Sequence, residues 1–353
     1  MKVAIDAQLA VGTATGIGEF VRGLVQALQT RGIDVVALSD EKLNPWRFDR
    51  RVYWDQVLLP QRARASGAQL LHCASGTMPL GLLLPMVVTV HDVAWLRVQA
   101  HARPYARYYF GKFSVERYRR ASAIAVDSAF SRNELLELVP GLDPGRVSVV
   151  YPGVAADFCT LERAPQGDGR TILAIGTVER RKNLEAIVEA LPFLDGARVI
   201  SVGPFTPYQD ECLEKAEALG VRDRIECRGY VERAEVLQLY ASCAVVAVPS
   251  RYEGFGYAAA QALCAGTPVV VADQASLPEV AGDDGTIVPV DSVQGWVNAL
   301  RDALDGKTDA RARASRARSI ERFAWDKSAA DMSAIYESVV PAAAWERGSV
   351  ASP

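Results

Sequence analysis

Histidine is scarce in this chain, with three in 353 residues, at positions 72, 91 and 101. That scarcity excludes a histidine-rich metal centre. The six cysteines (73, 159, 212, 227, 243 and 264) form no CxxC pair and have no histidine nearby at ligand spacing. They are therefore expected to be reduced thiols of a cytoplasmic protein, with no zinc site. Neither sign of charge prevails, since 39 Lys and Arg stand against 42 Asp and Glu, for a net charge of −3. A nucleic-acid partner thus has no global electrostatic basis. Long apolar runs are missing too: the stretch from Met78 to Val90 is too short to span a bilayer and is broken by Pro79, Gly81 and Pro85. At the N-terminus Asp6 interrupts the apolar residues too early for a signal peptide, so this segment reads as a strand.

What remains is ordinary for a globular chain, half hydrophobic and 23% charged, and long enough for two domains. Short β-rich runs at 3–5, 34–38, 69–72, 86–91, 123–126 and 146–150 alternate with helical patterns. Ile17, Phe20, Val21, Leu24, Val25 and Leu28 repeat at i, i+3, i+4, i+7, i+8 and i+11. The polar stretch 161–170 reads as a linker, after which strands are expected at 171–175, 198–202, 224–227, 244–248, 268–271 and 286–288. Nearly continuous apolar strands alternating with helices indicate α/β architecture, with parallel sheets covered on both faces. Ligands of such folds bind beyond the C-terminal ends of the strands, so a cleft between the two halves is the expected site. Residues 309–323, with five arginines, read as a solvated helix face. Residues 325–340 carry an apolar stripe that must pack on something, and the chain beyond Pro341 reads as frayed.

Four segments at expected strand ends carry candidate chemistry. In Pro249-Ser250-Arg251-Tyr252-Glu253-Gly254-Phe255-Gly256-Tyr257 an apolar run ends and a helical pattern begins. The unpaired N–H groups of that helix suit an anion, and Glu253 suits sugar hydroxyls. In Gly176-Thr177-Val178-Glu179-Arg180-Arg181-Lys182-Asn183, three cations precede a helix with Asn183 as its expected cap. Those cations match a diphosphate as well as they match a solvated surface. The loop from Gly12 to Gly18 opens a helix but lacks GxGxxG spacing, which disfavours a dinucleotide dehydrogenase. His91, in Val90-His91-Asp92-Val93, reads either as a structural histidine or as a neutral imidazole facing a substrate. Finally, the segment from Arg97 to Arg120 interleaves seven cations with six aromatic rings. It suits anionic lipid head groups, and equally a structural helix with its rings turned inward.

The loop ending Gly16-Ile17-Gly18, VHD, DSAFS (127–131), VYPGV (150–154), GTVERRKN, SRYEGFG and LPEVAGD (277–283) follow one another in the order found in retaining GT-B glycosyltransferases of family 4. The chain resembles that family over nearly its whole length. The resemblance implies two Rossmann-like doubly wound domains facing across a cleft: 1–162 on the acceptor side, 163–322 binding the nucleotide sugar, and a terminal helix at 323–345 crossing back. It implies that Gly16 and Gly18 lie under the donor diphosphate and that Arg181 and Lys182 neutralise it without a metal. Glu253 would bind the donor sugar, while Phe255, Gly256 and Tyr257 would offer backbone N–H groups. Val231, with Gly229, would line the base pocket, and His91 would sit beside the anomeric carbon. The family's second glutamate, a ribose ligand, is Gln261 here, and the arginine often found after the first glycine of the phosphate motif is Thr177.

No pair of carboxylates suited to a glycosidase is evident in the sequence. The resemblance implies same-face attack, with the leaving phosphate taking the acceptor's proton. No cofactor beyond the nucleotide-sugar donor is expected. GTVERRKN resembles the bacterial polysaccharide mannosyltransferase branch, which makes GDP-mannose the first donor, ahead of UDP-glucose and dTDP-rhamnose. The acceptor would be a glycan or a polyprenyl-diphosphate-linked glycan, and the enzyme would be cytoplasmic, with peripheral contact at the inner face of the membrane through Arg97 to Arg120. Two competing readings are a GT-B sugar-nucleotide epimerase, which would turn over donor without acceptor, and a non-catalytic nucleotide-sugar-binding subunit.

Overall fold

The computed structural model describes residues 1–12, 16–44, 46–97, 107–164 and 169–340, which form two compact units. The first comprises Met1–Gly153 and the chain from Ala324 onward, and the second is Val154–Phe323. The first boundary thus precedes the polar stretch at 161–170, of which 165–168 lie outside the described residues. The part of the expected terminal helix beyond residue 340 lies outside them as well, as do Thr13, Ala14 and Thr15 of the glycine loop.

Each unit is built on one six-stranded sheet whose pairings are all parallel. The first contains β1 (Lys2–Asp6), β2 (Asp34–Leu38), β3 (Leu70–Cys73), β4 (Met86–Val90), β5 (Ala123–Val126) and β6 (Val147–Val149), in the order β2-β1-β3-β4-β5-β6. The second contains β7 (Thr171–Ile175), β8 (Arg198–Val202), β9 (Ile225–Gly229), β10 (Val245–Val248), β11 (Val269–Ala272) and β12 (Thr286–Val288), in the order β12-β11-β10-β7-β8-β9. Every strand expected from the sequence forms, its ends shifted by a residue or two. The signal is strong because β3, β4, β5, β10 and β11 are buried at every position, so all but His72 and Thr89, which bond to each other, are apolar. Both sheets reverse their winding once, between β1 and β3 and between β7 and β10. Outside the C-terminal ends of strands at such a reversal, diverging connections leave a crevice.

The helix Trp325–Val339 belongs to the first unit, where its stripe finds a partner in the helix Gly16–Thr30. Gly23 and Gly153 leave room for Trp325, since a Cβ on either would stand 2.1 or 2.2 Å from the indole. Further along, the hydroxyl of buried Tyr336 lies 2.7 Å from His72 Nδ1.

On the helix Asp309–Arg322 the side chains of Arg311, Arg313 and Arg318 are exposed, as expected of a solvated face, whereas Arg316 and Arg322 are half-buried. Arg316 donates to the carbonyls of Cys159, Leu161 and Cys264, and Arg322 to those of Glu279 and Val280. Arg311 reaches Thr286, while Arg318 pairs with Asp284. The arginines tie this helix to the second unit because they find unused carbonyl oxygens there, an arrangement that periodicity does not encode.

Candidate active site

In the second unit the reversal point lies between the loops that follow β7 and β10, and the basic motif meets SRYEGFG there. Gly256 starts the helix Tyr257–Ala265 with φ 95°, and a Cβ at that position would stand 2.8 Å from Leu277. Only glycine meets both demands without strain. Ser276 fixes the turn by donating to the carbonyls of Glu253 and Phe255, at 3.0 and 2.9 Å. Residues 259–265 of the helix are buried, so its N-terminal end is held rigidly at the strand mouth.

Glu253 is buried and surrounded by donors. Its Oε1 accepts from Lys182 Nζ at 2.5 Å and from Ser250 Oγ at 2.8 Å, and its Oε2 accepts from Arg181 Nη1 at 3.3 Å. Burial works against the charged carboxylate, but Lys182 and Arg181 outweigh it and hold the pKa below the usual glutamate value. Arg181 also pairs with Glu179 at 2.6 Å. The cations that the sequence assigned to a phosphate are thus balanced by carboxylates in this state of the protein. An anion at the helix N-terminus would share Lys182 and Arg181 with Glu253, and each cation has enough N–H groups to serve both.

The loop carrying the cations is shaped by backbone geometry. Gly176 has φ 126°, and Lys182 lies across the face where its Cβ would stand. A Cβ on Gly203, after β8, would come within 2.1 Å of the Gly176 carbonyl oxygen, so these two loops touch. Asn183 does not cap its helix as expected. It sits in the left-handed region at φ 54° and sends its side-chain amide to the Pro249 carbonyl at 3.1 Å, linking the two motif loops directly. The left-handed backbone turns the amide away from the helix, and an unpaired strand-end carbonyl takes it.

Gln261, at the position of the family's ribose ligand, lies in the helix Tyr257–Ala265. It is buried, and its Oε1 accepts from the Tyr240 hydroxyl at 3.0 Å. A glutamine turned towards a buried phenol is engaged within the protein. Val231 is half-buried just after β9. Tyr230, within the stretch Gly229–Val231 expected at the base pocket, is exposed, and so is Phe205, which was not singled out from the sequence and whose ring tip lies against Gly229. The signal for Phe205 was an aromatic residue shortly after a strand, which is too common to read alone.

In the first unit His91 follows β4. Its Nδ1 lies 2.7 Å from Asp127 Oδ2 and its Nε2 lies 3.0 Å from the Ala74 carbonyl oxygen. Both partners only accept, so both bonds form only when the ring carries two protons. Burial works against that charge, yet Asp127 and the carbonyl prevail and raise the pKa above the ordinary value. Both ring nitrogens are thus engaged within the protein, an arrangement that favours the charged ring over the neutral imidazole considered from the sequence. Gly16 opens its helix with nothing within 4 Å of its Cβ position, and Gly18 is buried in the first turn. A charged cluster at the end of β1 went unread in the sequence: Arg51 pairs with Asp6 and Asp55, while Trp54 donates to Asp6. Arg51 and Asp55 are spaced as a helical ion pair, but nothing in the sequence announces that Asp6, 45 residues before Arg51, joins them.

Two doubly wound parallel sheets with a basic, carboxylate-lined crevice at a strand reversal make up the two-domain GT-B arrangement. The family pattern described as "Glycosyltransferase Family 4" matches residues 14–158, and "Glycosyl transferases group 1" matches 162–320. The D-inositol 3-phosphate glycosyltransferase of Jonesia denitrificans is 30% identical over 298 residues, covering 75% of this chain and 69% of the relative. Its counterpart from Xylanimonas cellulosilytica is 33% identical over 282 residues, 72% of this chain and 66% of that one. The chain spans 60% of the length of the Mycobacteroides abscessus relative. The chain belongs to these group 1 and family 4 glycosyltransferases. Solved structures agree in fold. Sucrose-phosphate synthase from Thermosynechococcus elongatus matches with a TM-score of 0.74 at 20% identity, over 96% of this chain and 99% of that one. Anabaena HepE, solved in complex with UDP and glucose, matches with a TM-score of 0.73 at 17% identity, over 96% of this chain and 100% of its own.

Proposed function

We propose that the protein transfers a hexose from a nucleotide sugar to a glycan or lipid-linked glycan, with retention and without a metal ion. One observation carries this reading: Lys182, Arg181 and Ser250 converge on Glu253 at a strand reversal, beside the start of the helix Tyr257–Ala265. Strand order supplies a ruler. The loops after β10, β7, β8 and β9 are successive neighbours, spaced by about 4.8 Å each. Along that line lie Glu253 for sugar hydroxyls, Arg181 and Lys182 for the diphosphate, and Phe205 with Tyr230 for the nucleoside. This sequence of chemistries is that of a nucleoside diphosphate sugar laid across the strand ends.

As the sugar–phosphate bond breaks, charge grows on the departing diphosphate, where Lys182, Arg181 and the helix N-terminus stabilise it most. The acceptor attacks from the same face, and the leaving phosphate takes its proton. His91, with both ring nitrogens engaged by Asp127 and the Ala74 carbonyl and its pKa raised, serves in this scheme by its fixed ring and its readiness to carry charge, not as a base. GDP-mannose is the first donor to test, followed by UDP-glucose and dTDP-rhamnose. D-inositol 3-phosphate joins the acceptors to test because the curated relatives bear that name.

Lys182→Ala is expected to lower kcat/KM about 100-fold or more, the usual loss for one donor aimed at developing charge. Glu253→Gln should impair transfer more than binding of free nucleoside diphosphate. Wild-type transfer rates in both variants would overturn the assignment. Donor turnover without acceptor would favour an epimerase, and nucleotide binding with no transfer to any acceptor would favour a binding subunit.

A further inference from the structure

Outside the crevice, two groups of side chains raised by the sequence remain. In the segment from Arg97 to Arg120, Arg97 pairs with Glu134 and Glu137, Arg119 and Arg120 pair with Glu116, and Arg117 is buried between the rings of Tyr109 and Phe113. Residues 98–106 lie outside the described residues. The other group is the cysteines, and two of them, far apart in sequence, come together.

Cys159 ends the short helix Ala156–Cys159, and Cys264 is the last residue but one of the helix Tyr257–Ala265. One guanidinium spans both. Arg316 Nε donates to the Cys264 carbonyl at 3.1 Å, while its Nη2 donates to the Cys159 carbonyl at 2.8 Å. An arginine side chain is a rigid fork, so it holds the two backbones at a set separation. Across that separation the thiols meet, Cys264 donating to the Cys159 sulfur. The Ser319 carbonyl oxygen lies 3.5 Å from Cys264 Sγ. Cys264 is wholly buried, whereas Cys159 keeps part of its surface in solvent.

The contact makes the two thiols unlike. The hydrogen bond from Cys264, with Arg316 nearby, holds the Cys159 pKa below the ordinary thiol value against partial burial. The same bond, with burial, pushes Cys264 up. Burial also raises Cys73, Cys212 and Cys227. Thiolates, not thiols, attack oxidants, so Cys159 combines nucleophilic character with access and has a second thiol at its side.

We propose that Cys159 and Cys264 are a redox-active pair, in which Cys159 attacks a disulfide or peroxide oxidant and Cys264 resolves the adduct into an intramolecular disulfide. With glutathione disulfide, the Cys159 thiolate attacks one sulfur and expels a glutathione thiolate, leaving a mixed disulfide. Cys264 gives up its proton to that thiolate, attacks Cys159 Sγ and expels the second glutathione. Two protein thiols are oxidised and one small disulfide is reduced. With hydrogen peroxide, Cys159 becomes a sulfenic acid, and the attack of Cys264 releases water. The product staples the segment entering the second unit to the helix that begins at the crevice. Intracellular disulfides are mostly transient and redox-sensing, which fits a pair that is reduced at rest.

The test treats the full chain with glutathione disulfide, alkylates the remaining thiols and maps every cysteine by mass spectrometry. In the wild type the Cys159–Cys264 link is expected to form ahead of any other, and dithiothreitol should restore both thiols. Cys264→Ser should stop with one glutathione on Cys159, and Cys159→Ser should leave Cys264 reduced. The oxidised wild type should melt about 5 °C or more above the reduced form, because the link closes a long loop. The wild-type map and melts need no substitution, so they decide the matter even where a variant fails to fold. An unlinked wild type, another pair linking first, glutathione on Cys264 in Cys159→Ser, or equal melts in the two states would overturn the proposal.

Discussion

The pKa values of the two described histidines move in opposite directions, because one ring has acceptors to favour its charge and the other is buried without them. His91 has two acceptors, and its pKa rises from 6.5. His72 has only hydroxyl neighbours, Thr89 and Tyr336, and burial with His91 nearby drives its pKa down to about 3. The signs for stability follow. The His91 pairing stabilises the fold fully below the unfolded pKa of about 6.5 and fades as pH rises through the raised value. His72 favours the fold above about 6.5, and that advantage is lost as pH falls towards 3. Urea titrations at pH 7 and pH 5 should therefore show a loss on acidification that His72→Gln reduces. A variant with unchanged pH dependence would show that His72 is not the group responsible. For His91, Asp127→Asn removes the charge that raises it. NMR titration of the ring should show a midpoint above the ordinary value in the wild type and a lower one in the variant, and equal midpoints would rule out Asp127 as the cause. None of this was legible in VHD, because Asp127 lies 36 residues away and the Ala74 carbonyl has no sequence signature.

Among the elements, the strands were legible and their attachments less so. Wholly buried parallel strands favour apolar side chains, so the runs at 86–90 and 245–248, apolar but for Thr89, are written in composition. The arginines of Asp309–Arg322 look alike in sequence, whereas in the fold each finds a different carbonyl or acid. Asn183 was placed at the right end of its helix but given the wrong bond. The stripe from Trp325 announced burial without naming Gly23 and Gly153 as its socket. Gly153→Ala would press a methyl group against the indole and should cost about 2 kcal/mol of stability, read as a lowered urea midpoint with unchanged slope. At the other sheet, Phe205→Ala with Tyr230→Ala should weaken binding of nucleoside diphosphates about tenfold, as expected for the loss of ring stacking. Inorganic pyrophosphate should bind the variant and the wild type alike. Equal losses for both ligands would mean that the rings support the loops and do not meet a base.

At the scale of the whole molecule, the two units repeat one plan, a parallel sheet with a single reversal, and they differ in what stands at the reversal. The first has His91 hydrogen-bonded to Asp127 and a buried ion cluster at the end of β1. The second has Glu253 under two cations and a helix N-terminus. The second arrangement suits an anionic donor carrying hydroxyls, and it makes the central claim open to direct measurement. That measurement is thermal unfolding of the full chain, wild type and Lys182→Ala, with GDP-, UDP-, dTDP- and ADP-sugars at saturating concentration. A ligand at 100 times its Kd adds about 2.7 kcal/mol, enough to raise Tm by about 2 °C or more. At least one nucleotide sugar is expected to stabilise the wild type by this margin and to lose most of the effect in Lys182→Ala. No shift with any of the four, or equal shifts in both proteins, would contradict the assignment of this crevice as the donor site.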